Sequence, residues 1–218
     1  MSELRLHNYW RSSASHRVRI ALELKGLKYE YVPVHLGAGE GEQFSAAYRA
    51  LNPQSRVPTL ETRDGLLTQS MAILEWLEES YPEPALLPRA RGERARVRAM
   101  AQVLIADVQP LQNQSVTRYL QGTLQLDSAA VKAWLRAWIG RGLGALEEMI
   151  AREPVSGQFC VGTQPTFADV CLVPQCASAR RFGVDLANFP RVARIDEACS
   201  AMPAFERAAP QQQLDAPH

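Results

Sequence analysis

Several features that mark other protein classes are missing from this 218-residue chain. It has no apolar run of about 18 residues, the least that a membrane-spanning helix needs. Its first residues, Met-Ser-Glu-Leu-Arg-Leu, lack the basic-then-apolar order of a secretory leader, so a cytoplasmic protein is expected. Charge of one sign is missing too: 24 Lys and Arg against 23 Asp and Glu leave +1. So weak a field does not gather nucleic acid or an anionic membrane, and neither is expected as a partner. Cysteines number only four, and Cys160, Cys171, Cys176 and Cys199 form no C-x-x-C. That excludes a metal-ligand spacing and argues against a disulfide framework; reduced thiols packed as small hydrophobes are expected, with no metal. No repeat on the order of 20–50 residues marks a solenoid, and no low-complexity tract occurs.

What remains is an ordinary globular composition, 46% hydrophobic and 22% charged, with a length between one large domain and two small ones. The character of the chain changes at Tyr81-Pro82-Glu83-Pro84-Ala85-Leu86-Leu87-Pro88, where prolines remove backbone donors and resist helix. The expected division is residues 1–83 as one domain, 84–90 as a linker and 91–212 as a second domain, with a frayed polar tail from Pro210 on.

Before the prolines, strand and helix signals alternate. Leu4 to Tyr9 and Tyr29 to Val34 read as strands. Between them, Ser12-Ser13-Ala14-Ser15 supplies good N-caps, Val18, Ile20, Ala21, Leu22 and Leu24 an apolar face, and Gly26 a stop. A Gly-containing loop leads to a short helix around Glu42 to Leu51. Two strands with a Gly-containing turn follow over Val57–Glu61 and Leu66–Thr68. Ser70 is expected to cap a helix whose inner face is Ile73, Leu74, Trp76 and Leu77. The order β-α-β-α-β-β-α is thioredoxin-like. After the prolines, helical period dominates. One long pattern runs from Arg91 to Leu111 and another over about Ser128 to Ala151. A third starts at Thr166, with Asp169 placed to reach back from N3 as in a capping box.

Three places suit chemistry. A helix N-terminus favours an anion such as a thiolate, so Ser12 to Ser15 either cap the first helix or help to hold a ligand sulfur. Val57-Pro58 precedes a strand. A cis bond there would free the Val57 backbone for a ligand, although an ordinary trans proline is the commoner case. Gln69-Ser70 opens another helix and suits a carboxylate, or merely caps. Arg17 and Arg19 are two apart and cannot share a helix face, so one is expected to be solvated or structurally paired. His16 is expected to be structural or to face solvent.

In a thioredoxin-like layout these places converge on one edge of the sheet. Their residues resemble the zeta-class glutathione transferases, which include the maleylacetoacetate and maleylpyruvate isomerases. The resemblance is carried by Ser12-Ser13-Ala14-Ser15-His16-Arg17-Val18-Arg19-Ile20-Ala21-Leu22, by Leu51-Asn52-Pro53 with Val57-Pro58-x-Leu60, and by Gln69-Ser70-x-x-Ile73-x-Glu75-Trp76-Leu77-Glu78. It continues through Gln109-Pro110-Leu111-Gln112-Asn113, Asp169-x-Cys171-Leu172-Val173-Pro174-Gln175 and Arg181-Phe182-x-Val184-Asp185-Leu186, and so covers nearly the whole chain.

The resemblance implies an α/β thioredoxin-like N-terminal domain plus an all-α C-terminal domain, the glutathione transferase fold. It implies glutathione as cofactor, a homodimer, and cis–trans isomerisation of a maleyl diketo acid by thiolate addition, rotation and elimination, in aromatic compound catabolism. A glutathione-conjugating or dehalogenating transferase and a non-catalytic binding module are the alternatives. By position, Ser12 would stabilise the glutathione thiolate, with Ser13 and Ala14 beside it. Gln43, Val57, Pro58, Gln69 and Ser70 would hold the tripeptide, and Gln109, Asn113 and Ser115, on the first long helix, would line the same cleft. Arg11 and Arg181 would take the carboxylates of a small dicarboxylate substrate. The family cysteine after the serine pair is Ala14 here, so glutathione is expected to bring the only essential sulfur.

Overall fold

Short strands paired through a few leucines organise the N-terminal part of the chain. The structure is a computed structural model and describes residues 3–37, 41–154 and 157–217. Met1 and Ser2, residues 38–40 of the Gly-containing loop, Val155, Ser156, and His218 at the end of the polar tail lie outside this set. Strands β1 (Arg5–Asn8), β2 (Glu30–Pro33), β3 (Thr59–Thr62) and β4 (Gly65–Thr68) form one sheet in the order β2-β1-β3-β4. β1 and β2 are parallel, while β3 runs antiparallel to both β1 and β4. Leu6 and Leu60 face each other across β1 and β3 and are both fully buried.

Helices α1 (Ser13–Leu24), α2 (Ala46–Leu51) and α3 (Ser70–Ser80) complete the thioredoxin-like order. α1 and α3 pack together, and Val18, Ile20, Ala21, Leu22, Ile73, Leu74 and Leu77 are fully buried. At this buried strength, each large aliphatic side chain contributes about 1.5–3 kcal/mol. The end of α1 is tied to the proline segment by Lys25. Its Nζ donates to Glu78 Oε2 at 2.8 Å, to the Tyr81 carbonyl at 2.7 Å and to the Pro84 carbonyl at 3.0 Å.

The chain divides into two compact units, Met1–Ala85 with Ala201–His218, and Leu86–Ser200. The C-terminal segment, expected to close the helical domain and then fray, instead belongs with the sheet. Its helix α10 (Pro203–Ala208) packs on α1. Gln213 beyond it is buried and donates to the carbonyls of Arg207 at 2.9 Å and Ala209 at 2.8 Å. A polar sequence with no helical period gives no local sign of such packing.

The second unit holds α4 (Arg91–Gln102), α5 (Gln109–Gln112), α6 (Gln114–Gly122), α7 (Ser128–Ala151), α8 (Phe167–Phe182) and α9 (Pro190–Ser200). The long pattern from Arg91 passes through a π-helical turn at Val103–Val108 and breaks at Asn113, whose backbone is extended (φ −62°, ψ 148°). Buried carboxylates organise the helix starts. Asp169 accepts from the backbone N–H of Cys160 and of Thr166 and from Thr166 Oγ1, each at 2.8 Å. Glu147 of α7 accepts from the Arg191 and Val192 amides at the start of α9. All four cysteines are free and buried, and burial raises the thiol pKa of Cys160, Cys176 and Cys199.

The π-helical turn requires a glycine on α7. A Cβ at Gly142 would stand 2.0 Å from Val108 Cγ2, whereas one at Gly140 meets nothing within 4 Å. Gly142→Ala is therefore expected to destabilise by about 1–3 kcal/mol through overpacking, and Gly140→Ala to stabilise by about 0.5–1 kcal/mol through helix propensity. Urea denaturation of the two variants checks the opposite signs.

Candidate active site

Strand register brings three loops to one end of the sheet. His7 near the end of β1 pairs with Thr59 at the start of β3, and Thr59 pairs with Thr68 at the end of β4. The turn after β1, the Val57-Pro58 step before β3 and the Gln69-Ser70 step after β4 therefore share that end. No single segment of sequence contains this site; the antiparallel pairing assembles it.

The turn after β1 leads into α1. Ser12 is the N-cap, in extended conformation (φ −71°, ψ 119°), and its Oγ accepts from the Ser15 amide at 3.2 Å. Capping and ligand binding are not exclusive here. A hydroxyl has one donor and two acceptor positions, so this contact leaves the Ser12 proton for another acceptor. Ser15 is fully buried, and its Oγ has no partner among the described residues. Arg11 is exposed and lies over the Trp10 ring, 5.5 Å from its centroid.

Three residues one turn further on are all buried, which selects structural pairing over solvation for the arginines and burial over solvent exposure for His16. Arg17 Nη1 donates to Ser70 Oγ at 3.1 Å, which joins α1 to the start of α3. Arg19 is fully buried and donates to the carbonyls of Trp10 at 2.9 Å and Ala208 at 3.1 Å and to Asn8 Oδ1 at 2.9 Å. His16 is buried as well, with no partner for Nε2 among the described residues. Two charges two residues apart on a helix can both be buried when one faces a neighbouring helix and the other the chain's own C-terminal segment.

At the start of α3, Gln69 occupies the N-cap position with φ +67°, and no side chain caps the helix. Ser70 is the first helical residue rather than the cap. A glutamine held in the left-handed region costs of order 1 kcal/mol, and such strain clusters at functional sites. Gln69 Nε2 donates to Gln54 Oε1 at 2.6 Å. The Val57-Pro58 peptide is cis, not the trans form the sequence favoured. The carbonyl just before it, that of Arg56, accepts from Tyr48 Oη at 2.8 Å and Asn52 Nδ2 at 2.7 Å. Val57 packs with Val34 and Tyr48. Tyr48 is thus part of the site's support and gave no sequence signal beyond an apolar position on a short helix.

Gln43 sits in a 3-10 turn, buried, with Oε1 lacking a partner among the described residues. Gly41 beside it has φ +102°, a conformation that favours glycine. A buried unpartnered amide oxygen suits a ligand N–H, and an uncapped helix start suits a carboxylate; glutathione offers both groups.

The remaining candidates belong to the second unit. Gln109 opens α5 and is half-buried. Asn113 and Ser115 are not inside one long helix. Asn113 is the N-cap of α6, and its Oδ1 accepts from the Ser115 amide at 3.0 Å and the Ser115 hydroxyl at 3.1 Å. Gln112 and Gln175 join through their amides at 2.7 Å. Arg181, exposed near the end of α8, lies over the Phe182 ring, 4.9 Å from its centroid.

Residues 11–80 match the model of the glutathione S-transferase N-terminal domain. The chain is 49% identical to the maleylpyruvate isomerase of Ralstonia sp over 97% of its own length and 99% of that protein's. Among solved structures it resembles a holo maleylpyruvate isomerase described as a bacterial zeta-class glutathione S-transferase (TM-score 0.95, 49% identity, 98% of this chain and 100% of that one). It also resembles the maleylacetoacetate isomerase of Anaeromyxobacter dehalogenans, solved with dicarboxyethyl glutathione and citrate in its active site (TM-score 0.88, 50% identity, 100% of both chains). The chain belongs to the zeta-class glutathione S-transferase family, with the maleylpyruvate and maleylacetoacetate isomerases.

The buried His16 has a measurable signature. Burial first, then the charges of Arg19 and Arg17, hold its pKa well below the ordinary 6.5. The unfolded chain therefore binds a proton that the folded chain refuses once the pH falls below about 6.5. Stability contributed by the neutral imidazole is present above that pH and lost below it, with a slope approaching about 1.4 kcal/mol per pH unit. Relative to His16→Gln, the wild type should lose stability between pH 7 and pH 5; parallel stability curves would contradict this.

Proposed function

We propose that this protein is a glutathione-dependent cis–trans isomerase that converts maleylpyruvate or maleylacetoacetate to the fumaryl isomer, with Ser12 as its central group. The observation that carries this reading is the Ser12 hydroxyl, which accepts the Ser15 amide and keeps its own proton at the start of α1. A double bond does not rotate at ambient temperature, and glutathione, when bound, supplies a thiolate whose reversible addition makes it a single bond.

Ser12 donates its proton as a hydrogen bond to the ligand sulfur, and the N-terminus of α1 adds partial positive charge. Both favour thiolate over thiol. Ser13 and Ala14 continue the backbone beside the sulfur. No protein thiol competes for the role, because Ala14 stands where the family resemblance implies a cysteine and the chain's own cysteines are buried. At the start of α3, the uncapped amides and Ser70 receive the γ-glutamyl carboxylate. Ser70 Oγ already accepts from Arg17, which leaves its proton for the ligand and places a buried positive charge behind it. Gln69 shares that end, Gln43 accepts a ligand N–H, and Val57, set by Pro58, pairs through its backbone.

Gln109, Asn113 and Ser115 contribute the polar contacts of the helical unit. Asn113 Oδ1 is taken by Ser115, so its NH2 group is the part that donates. Arg11 and Arg181 bind the substrate carboxylates. A guanidinium lying over an aromatic ring is oriented by it, and its in-plane donors suit a carboxylate fork. The same groups stabilise negative charge that builds on the substrate. The A. dehalogenans relative, with a dicarboxyethyl derivative of glutathione and citrate at its site, supports a polycarboxylate as the substrate class. We also take the protein to act as a homodimer in the cytoplasm, in aromatic compound catabolism, in keeping with its family.

Purified protein given glutathione and either maleyl acid should form the fumaryl product with no net loss of glutathione. Consumption of glutathione with halogenated acids alone would favour a conjugating transferase instead. Ser12→Ala is expected to lower kcat by about 10²-fold while the protein stays folded, the scale of one lost oxyanion-type donor; activity within about threefold would assign thiolate stabilisation to the helix end alone. Arg181→Ala should mainly raise the substrate KM, and unchanged steady-state kinetics would remove Arg181 from the site.

A further inference from the structure

The turn that carries Arg11 and Ser12 is held by the far end of the chain. Trp10 N–H donates to Asp215 Oδ2 at 3.1 Å, across 205 positions of sequence. Its carbonyl accepts from Arg19 Nη2 at 2.9 Å, so both backbone groups of Trp10 are fixed. The Tyr9 carbonyl accepts from the Ser12 amide at 3.0 Å, closing the turn. Asp215 is itself anchored, since its other carboxylate oxygen accepts from the Tyr31 hydroxyl. Burial first, and then that bond, push the Tyr31 pKa up, so Tyr31 remains a donor throughout the working range. On either side of Asp215, Gln213 and Ala216 are buried, and the Ala216 amide donates to the Gln213 carbonyl at 3.0 Å. The segment is thus locked before it reaches the turn.

We propose that Asp215 is a positioning residue for the isomerase site, holding the Tyr9–Ser12 turn so that Ser12 and Arg11 meet the bound thiol and substrate. The proposal rests on the isomerase reading above. Its physical basis is the steepness of catalysis with position: a displacement of about 1 Å costs up to about 10²-fold in rate, and a hydrogen-bond donor acts only where its support keeps it aimed. Two bonds on Trp10, one from each end of the chain, provide that support immediately before Ser12.

The test is the ionisation of bound glutathione, followed by thiolate absorbance near 240 nm across pH, together with steady-state kinetics, in wild type, Asp215→Ala and Asp215→Asn. Asparagine keeps an acceptor oxygen for the Trp10 amide and alanine does not. For Asp215→Ala, the ionisation midpoint should rise by about 0.5–1 pH unit and kcat at pH 7 fall about 3–10-fold, with the glutathione KM within about twofold. Asp215→Asn should stay within about twofold of wild type. An unchanged midpoint in Asp215→Ala overturns the proposal, whether or not melting temperature or kcat falls, and so does an asparagine variant as impaired as alanine. If Asp215→Ala does not fold, Tyr31→Phe, which releases the other carboxylate oxygen, should raise the midpoint in the same direction, and no rise overturns the proposal. A wild type that neither ionises glutathione nor isomerises either acid would instead overturn the isomerase reading itself.

Discussion

The buried guanidinium of Arg19 is the contact on which the rest of the N-terminal unit depends. Burial lowers its pKa only to about 10, so it is charged at neutral pH and has to be met by acceptors. It finds the Asn8 side chain and the carbonyls of Tyr9, Trp10 and Ala208. Those four acceptors come from the end of β1, the turn before Ser12 and the end of α10. Each would cost about 1–3 kcal/mol if left buried and unpaired, so the strand, the turn and the C-terminal helix cannot part from one another cheaply. Arg17, one helical face away, plays the corresponding role toward α3 through Ser70. One helix thereby links the two helix starts at which a thiolate and a carboxylate can be received.

The two units use polar burial differently. In the first, cations on α1 are buried and reach backbone carbonyls and Ser70. In the helical unit the buried charges are carboxylates: Asp169 and Glu147 receive backbone amides at helix starts, while Glu153 and Asp196 are met by Arg96 and Arg180. Carboxylates placed in this way hold loops and helix ends together. The cysteines are free and buried and pack as hydrophobes, and burial pushes the thiols of Cys160, Cys176 and Cys199 toward the protonated form.

Local pattern was enough for much of this. The apolar spacing of α1, α3 and α7, the serines before α1 and the proline segment after α3 all show their elements directly, because a helix face or a cap is written within a few residues. The candidate site was legible as three short motifs. Other features had no local signature. The π-helical turn packs against Gly142, more than thirty positions away in sequence, while the extended Asn113 interrupts a continuous helical pattern and Val57-Pro58 is cis where base rates favour trans. The burial of His16, Arg17 and Arg19 is a further case, since charge predicts exposure until a partner is known.

By itself, then, the sequence determined the element order, the helix faces, the residue types of the candidate site and a charge balance close to neutral. Tertiary structure alone decided which of those residues meet. Strand register placed Ser12, Val57 and Ser70 at one end of the sheet, and long-range hydrogen bonds turned a polar C-terminal segment into the clamp on the Ser12 turn. The reason is physical. Periodicity and capping are properties of neighbouring residues, whereas pairing a buried charge or a free backbone amide needs a partner that only the folded chain brings near.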